Sequence, residues 1–228
     1  MLYTPTIMLS DEEFKKAKKV LTKADPLLGE AMKEFKDFIL PVPQNREPYE
    51  ALIRAIAHQQ LHGKAAETIL RRFIEKATEK RVKKSAKFPT PDEIFALSDM
   101  EIRACGFSLP KILAIRDITE KAQAKVIPTR RALDKLTNEE IIALLVPLRG
   151  VGKWTVEMFL IFTLGRTDVL PVDDFGVREG YRVLHGLDKQ PTPKELAQAG
   201  EKWAPYRSVA SLYMWRIADR AKETKKKR

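Results

Sequence analysis

"LRGVGKWTVEM", residues 148–158, is the stretch whose reading decides the fold. Two glycines, Gly150 and Gly152, stand one residue apart inside an otherwise apolar, helix-favouring sequence. A glycine inside a helix costs about 1 kcal/mol relative to alanine, so the stretch reads as a break between two helices. Upstream, "NEEIIALLVPL" has helical apolar spacing, and downstream "KWTVEMFLIFTL" has it again. "RGVG" is then a turn of a few residues in a helical hairpin spanning about 138–164. The glycines permit positive φ and close approach of backbone to a ligand. The amides of Val151, Gly152 and Lys153 are expected to be left free at the start of the second helix, where N–H groups and the helix dipole together favour an anion such as phosphate. Taken alone, the turn is equally well an ordinary αα-hairpin connection.

The rest of the chain is written in the same helical language. Five Ser/Thr-x-x-Glu boxes precede apolar-periodic segments: Ser10/Glu13, Thr90/Glu93, Ser98/Glu101, Thr137/Glu140 and Thr192/Glu195. In each the hydroxyl can accept the third amide while the glutamate reaches back to the cap amide. "TPDE" and "TPKE" also place proline at the first helical position, where no amide is missed. Helical periodicity continues in "FKKAKKVL", "LLGEAMKEFKDFIL", "YEALIRAIAHQQL", "AAETILRRFIEKA" and "KILAIRDITEKAQ". The best extended piece, "DVLPV" (168–172), contains a proline that argues against a central strand. The fold class expected is all-α, with about ten helices.

Composition narrows the partners. Forty-two Lys and Arg against 31 Asp and Glu leave a net charge of +11, which suits a polyanion, nucleic acid first of all. An acidic membrane surface would also suit, but no apolar run reaches the roughly 18 residues that a transmembrane helix needs. The opening "MLYTPTIMLSDEEF" shows no basic-then-apolar leader pattern. Cys105 is the single cysteine. Within one chain that excludes a disulfide, a multi-cysteine zinc site and a four-cysteine iron–sulfur cluster. An intracellular setting is expected, cytoplasmic in a prokaryote and nuclear in a eukaryote.

Beyond the hairpin comes "GRTDVLPVDDFGVREGYRVL" (165–184). A helix over 152–164 is roughly 20 Å long, and "RTDVLPV" in extended form spans roughly 23 Å. The chain can therefore double back and return Asp173 and Asp174 to the glycine turn. One Asp could equally be the N-cap of the helix that follows. The two can divide these duties, with Asp173 capping or structural and Asp174 projecting into a cleft.

"LRGVGKWTVEM" followed by "LPVDD" resembles the helix-hairpin-helix DNA glycosylases, and within them the alkylbase, or 3-methyladenine, branch. "EPYEALIRAIAHQQLHGKAA" (47–66) and "APYRSVASLYMW" (204–215) are similar to the same branch, so the likeness covers about 45–218. Larger members carry an extra N-terminal β-domain that 228 residues do not accommodate, so the resemblance is to the compact form. It implies a six-helix barrel-like domain over 46–165 and a second helical lobe from 1–45 plus 166–228. DNA would cross the cleft between the lobes.

The resemblance also implies roles. Asp174 matches the catalytic carboxylate that stabilises an oxocarbenium-like sugar while water attacks. Trp154 and Trp215 match aromatics that stack on a flipped, electron-poor base. Met158 stands where some members carry an aromatic and is placed in the same pocket. Gly150, Val151, Gly152, Lys153 and Thr155 match the DNA-backbone contacts. Leu61 matches the wedge that fills the gap left in the duplex, with His62 probing the minor groove beside it. Without the resemblance, Leu61 reads as core and His62 as a surface histidine. His58 and His185 show no metal-ligand spacing. Carbonyls of Val146, Leu148 and Val151 match a monovalent-cation site in related enzymes. No other cofactor is expected.

Bifunctional glycosylase/lyases of this superfamily carry a Schiff-base lysine two residues after the second hairpin glycine. Trp154 stands there in this chain. Lys153 is one residue off, about 100° around the helix. The expectation is a monomeric, monofunctional hydrolase acting on alkylated bases in double-stranded DNA. The alternatives are a lyase for oxidised bases, and a non-catalytic DNA-binding hairpin whose aspartates are only caps.

Overall fold

The computed structural model describes residues 9–35, 38, 46–61, 63–81 and 87–226. Among them are thirteen α-helical segments and no strand. The first two are α1 (Asp11–Ala24) and α2 (Pro26–Glu34). Next come α3 (Pro48–His58), α4 (Gly63–Ala77), α5 (Pro91–Phe95) and α6 (Asp99–Ala104). Then follow α7 (Leu109–Gln123), α8 (Arg130–Leu133), α9 (Asn138–Leu145) and α10 (Lys153–Phe159). The helix α10 runs on as a π-helical turn, Leu160–Leu164. The last three are α11 (Phe175–Leu184), α12 (Pro193–Gly200) and α13 (Arg207–Lys226), with a 3-10 turn at Glu201–Trp203 before α13.

All five capping boxes form, each with both reciprocal hydrogen bonds, at the starts of α1, α5, α6, α9 and α12. Helix starts are local decisions, settled within four residues. Helix ends are less so. The periodicity of "LLGEAMKEFKDFIL" suggests a helix to about residue 40, but α2 stops at Glu34; Phe38 has no helical assignment. Residues 36–37 and 39–45 lie outside the described set.

The chain divides into two compact units, Met1–Asn45 with Leu160–Arg228, and Arg46–Phe159. The second division falls where α10 gives way to the π turn, earlier than the boundary at 165 expected from sequence. Among its described residues the second unit has eight helical segments, α3 to α10, rather than six. The excess comes from short turns, four to seven residues long in α5, α6, α8 and α10, that begin at their own caps or turns.

In the second unit α7 is the central element, packed on α3, α5 and α6. Its Ile112, Ile115 and Ile118, three residues apart, are buried, as are Leu52 and Ile56 of α3 and Leu70 and Phe73 of α4. In the first unit α11 packs on α13 and α1 on α2. Val177, Tyr213, Met214, Leu21, Leu28 and Trp203 are buried there.

The segment 166–172 forms no strand; the chain bends at Thr167 and turns from Val172. Its polar groups go to the start of α13 instead, since buried backbone must find partners. The Ser208 hydroxyl donates to the Arg166 carbonyl (2.7 Å) and accepts the Val169 N–H (2.9 Å). The Ser208 N–H donates to the Thr167 carbonyl at 2.9 Å. Arg207 grips Asp168 with Nε at 2.6 Å and Nη2 at 2.8 Å. The run leading to Asp173 and Asp174 is thus fixed against the helix that carries Trp215.

A charge cluster around one buried carboxylate sits in the same unit. Asp25, 1% exposed, caps α2 through the Leu28 N–H and accepts from Trp203 Nε1 at 3.2 Å. Lys202 Nζ at 3.1 Å and His185 Nε2 at 3.3 Å lie against the same oxygen as Trp203, Oδ2, while the Leu28 N–H takes Oδ1. Burial pushes the Asp25 pKa up, but the Lys202 and Leu28 hydrogen bonds and the charges of His185 and Lys202 outweigh it, leaving the carboxyl below its usual range. Burial also lowers His185 against the opposing pull of Asp25. A depressed carboxylate contributes stability above its unfolded pKa and loses it as pH falls through the folded one. A histidine depressed in the folded state loses stability once pH drops below its unfolded value, about 6.5, because the unfolded chain takes the proton first. Melting temperature should therefore fall on acidification below about pH 6.5 and fall further in the carboxylate range. Asp25→Asn should cost about 1–2 kcal/mol at pH 7 and flatten the lower stage. Melts taken from pH 8 to pH 2 decide it; a flat wild-type profile would contradict the argument.

Candidate functional site

The hairpin turn between α9 and α10 belongs to the second unit, and its two glycines do different work. Gly150 has φ +75°, and a Cβ there would stand 3.2 Å from Ala114 Cβ and 3.2 Å from Ile56 Cδ1. It is needed both for the turn and for packing on α7 and α3. Gly152 has open space where a Cβ would be. Its lack of a side chain leaves backbone bare toward the outside.

Two expectations about this turn need correction. The Val151 N–H is not left free; it donates to the Leu148 carbonyl at 3.1 Å, and Val151 is only 4% exposed. The tight turn that Gly150 makes folds this amide inward. Thr155 is also withdrawn, 6% exposed, because it falls on the core face of α10 beside Val156. Its side chain does not face a ligand on the outer surface, and only its backbone amide can belong to the first turn. The amides of Gly152 and Lys153 open the helix, where no carbonyl four residues back exists within it. Lys153 is exposed, and its Nζ lies 3.7 Å from Glu157, one turn on. Trp154 is 46% exposed on the outer face, and Met158 is half-buried.

The Leu61 loop lies in the same unit. The helix α3 ends at His58, Gln60 takes φ +55°, and Leu61 is 41% exposed. A leucine at a positive-φ corner, held out of the core, is an apolar group offered to the outside. His62 lies outside the described residues. Sequence reasoning missed three groups that hold this loop and the turn. Gln59 Nε2 donates to the Gly150 carbonyl (2.9 Å). Lys111 Nζ donates to the carbonyls of Ala57 (2.9 Å) and Gln59 (2.8 Å). The Asp117 carboxylate accepts the Arg149 N–H at 2.8 Å.

The carboxylate centre belongs to the first unit. Asp174, not Asp173, is the N-cap of α11: its Oδ1 accepts the Val177 N–H at 2.8 Å. The division of labour expected from sequence is corrected on this point. The Asp174 N–H bonds to the Pro171 carbonyl (3.1 Å), and this turn sets the helix to start one residue later than a cap at Asp173 requires. Asp173 is exposed. The same Oδ1 accepts Trp215 Nε1–H at 2.7 Å, across 41 residues of chain. The Trp215 ring stacks on Phe162 in the π turn, centroids 5.8 Å apart and planes at 27°. Asp174 and Trp215, identified separately in the sequence, are thus one hydrogen-bonded unit backed by Phe162.

Gly176 is what lets the indole in. A Cβ there would lie 2.6 Å from Trp215 Cδ1 and 3.0 Å from its Nε1. One turn later, Gly180 lets α13 itself approach: a Cβ would stand 2.0 Å from the Met214 carbonyl oxygen. The signal was present as Gly-x-x-x-Gly in "FGVREGYRVL", small residues four apart on one helix face.

No cluster of His, Cys, Asp or Glu among the described residues could hold a metal ion. The Val146, Leu148 and Val151 carbonyls offer oxygen donors only, a set for a hard cation; Leu148 also accepts the Val151 amide. No helix among the described residues is long and apolar enough to cross a membrane.

Comparison with known proteins gives the chain's family and relatives. The HhH-GPD superfamily base excision DNA repair proteins match residues 53–206. DNA-3-methyladenine glycosylase 1 of Schizosaccharomyces pombe is 45% identical over 182 residues, 80% of this chain and 77% of the relative. The alkylbase DNA glycosidase-like protein of the same organism is 32% identical over 92% of this chain and 96% of its own length. The solved structure of the Schizosaccharomyces pombe 3-methyladenine DNA glycosylase in complex with abasic DNA superimposes with a TM-score of 0.75 at 41% identity, covering 88% of this chain and 95% of that one.

Proposed function

The chain belongs to the HhH-GPD superfamily of base excision DNA repair proteins, and from that premise we propose that it is a monofunctional glycosylase that removes alkylated purines from duplex DNA. The observation that carries the reading is the Asp174–Trp215 unit: a carboxylate oriented by a helix amide and an indole N–H on one oxygen. Together with this geometry, the 45% identity to a DNA-3-methyladenine glycosylase supports the substrate class.

The chemistry follows from the residues. A purine alkylated at N3 or N7 carries positive charge, so its bond to C1′ breaks with the electron pair leaving on the base, which departs neutral. The sugar is left oxocarbenium-like. Asp174 supplies the negative charge that stabilises it, the largest kind of contribution such a site makes. Water adds to C1′ and releases its proton to the carboxylate or to solvent. The aromatic face of Trp215, in the unit that carries Asp174, attracts the electron-poor base. The turn at Gly150–Lys153 holds the DNA backbone, and Leu61 fills the gap in the stack. A monovalent cation on the carbonyls of Val146, Leu148 and Val151 would add positive charge where the backbone is held. The enzyme acts as a monomer where the cell keeps its DNA, in the cytoplasm of a prokaryote or the nucleus of a eukaryote.

Incubation with methylated DNA, followed by identification of the freed bases, tests the reading. 3-Methyladenine and 7-methylguanine are expected; intact methylpurines throughout would overturn it. Borohydride should trap no covalent enzyme–DNA adduct, because Trp154 occupies the Schiff-base lysine's place and water is the nucleophile. An adduct on abasic or damaged DNA would make the enzyme a lyase.

A further inference from the structure

Lys111, Ala114 and Asp117 lie three residues apart along α7, on one side of the helix. Each touches a different part of the outer surface just described. Lys111 holds the end of α3 through the carbonyls of Ala57 and Gln59. Ala114 lies under Gly150. Asp117 holds the Arg149 amide. Gln59 closes the circuit, since its backbone carbonyl accepts Lys111 and its side-chain amide donates to the Gly150 carbonyl, 91 residues away. The next two residues are Gln60, at positive φ, and Leu61.

These contacts do more than stabilise a helix end. A helix C-terminus normally leaves its last carbonyls to water or to a glycine cap. Here a lysine from another helix takes two of them and burial lowers its pKa, while the following side chain is committed to the hairpin turn. A long, flexible glutamine is being held in one conformation, which costs rotamer entropy and fixes the start of the Leu61 loop relative to Gly150.

We propose that Lys111 and Gln59 are positioning residues that hold the Leu61 loop in register with the hairpin turn, so that grip on the DNA backbone and displacement of the base are delivered together. The proposal rests on the reading of Leu61 as the wedge given above. In its terms the hairpin fixes where the backbone lies, and Gln59 fixes how far from that point the leucine enters. Loosening either bond leaves Leu61 in place chemically but free to enter at the wrong depth. Precision of this kind matters because a displacement of about 1 Å away from the chemistry can cost on the order of 100-fold in rate.

The test uses the full-length protein and two duplexes, one unmodified and one with a tetrahydrofuran abasic analogue. The readout is the ratio of their affinities, together with single-turnover release of 7-methylguanine. The variants are Gln59→Ala, Lys111→Met, Lys111→Arg, Leu61→Ala and the double variant Gln59→Ala/Leu61→Ala. Gln59→Ala and Lys111→Met should each lower the preference for the abasic duplex on the order of tenfold, the scale of one mis-seated apolar side chain. Lys111→Arg should restore most of it, because a guanidinium can still donate to both carbonyls. The double variant should be no worse than Leu61→Ala, since residues acting as one unit are not additive. A purely structural role for Gln59 predicts independent, multiplying losses and a lowered melt instead. If Leu61→Ala loses the preference and Gln59→Ala keeps it, the positioning proposal is wrong and the wedge reading stands. If Leu61→Ala itself keeps the preference, the wedge reading falls and the proposal with it. Should Lys111→Met melt early, Gln59→Ala decides alone, because its half-buried side chain can be truncated at the surface without opening the core.

Discussion

Asp174→Asn is expected to lose at least ~100-fold in the rate of base release while melting close to the wild type. The geometry makes this substitution clean. Asparagine caps a helix about as well as aspartate, and its carbonyl oxygen can still accept both the Val177 N–H and the Trp215 Nε1–H that Oδ1 now takes. The helix-dipole contribution that goes with the charge is only ~0.3–1 kcal/mol. What disappears is the negative charge that the proposed mechanism sets against the developing sugar cation, and removing one electrostatic stabiliser of a transition state typically costs 100- to 1000-fold. Single-turnover excision and a thermal melt on the same preparation are the measurements. Asp173→Asn serves as the comparison: the residue is exposed and does not cap α11, so its loss should be small. A near-wild-type rate for Asp174→Asn would remove Asp174 from the chemistry, whatever its place in the fold.

The reversal of the two aspartates shows where sequence reading stops. Adjacent residues with the same side chain satisfy the same local rule, and only the phase of the turn decides which of them caps. That phase depends on Pro171 and on the fixing of 166–169 by Arg207 and Ser208, about forty residues downstream. The five capping boxes were legible for the opposite reason: everything they need lies within four residues. The Gly150 turn was legible as a break because helix propensity is local too. The inward fold of the Val151 amide and the burial of Thr155 were not, since they depend on how α10 meets its own unit. Nothing in periodicity pairs Gln59 with Gly150 or Trp215 with Asp174. The π turn at Leu160–Leu164, which brings Phe162 under Trp215, is likewise a tertiary outcome in a sequence that reads as plain helix.

The two glycines of α11 should separate stability from catalysis when each is replaced by alanine. At Gly180 the added Cβ would meet the carbonyl oxygen of Met214 at 2.0 Å, its carbonyl carbon at 2.5 Å and its Cα at 2.7 Å. All three are backbone, so no side chain can swing aside and α11 must move off α13. Alanine in a helix interior is worth about 1 kcal/mol over glycine, but overpacking costs typically ~1–3 kcal/mol and occasionally more. With contacts this short the upper end applies, and Gly180→Ala should lose about 2 kcal/mol net in a urea titration. At Gly176 the obstacles are side-chain atoms: Trp215 Cδ1 at 2.6 Å, Trp215 Nε1 at 3.0 Å and Asp174 Oδ1 at 3.2 Å. An indole can tilt at modest cost, so Gly176→Ala should stay within about 1 kcal/mol of wild type in stability. The tilt, however, breaks the Nε1–Asp174 bond and lifts the ring from Phe162. Base release should then slow by ~10- to 100-fold, the scale of a misplaced catalytic group. Rate and urea midpoint measured side by side decide the matter. If Gly176→Ala keeps full activity, the Trp215–Asp174 bond is incidental to catalysis; if Gly180→Ala is as stable as wild type, the α11–α13 crossing is looser than these distances imply.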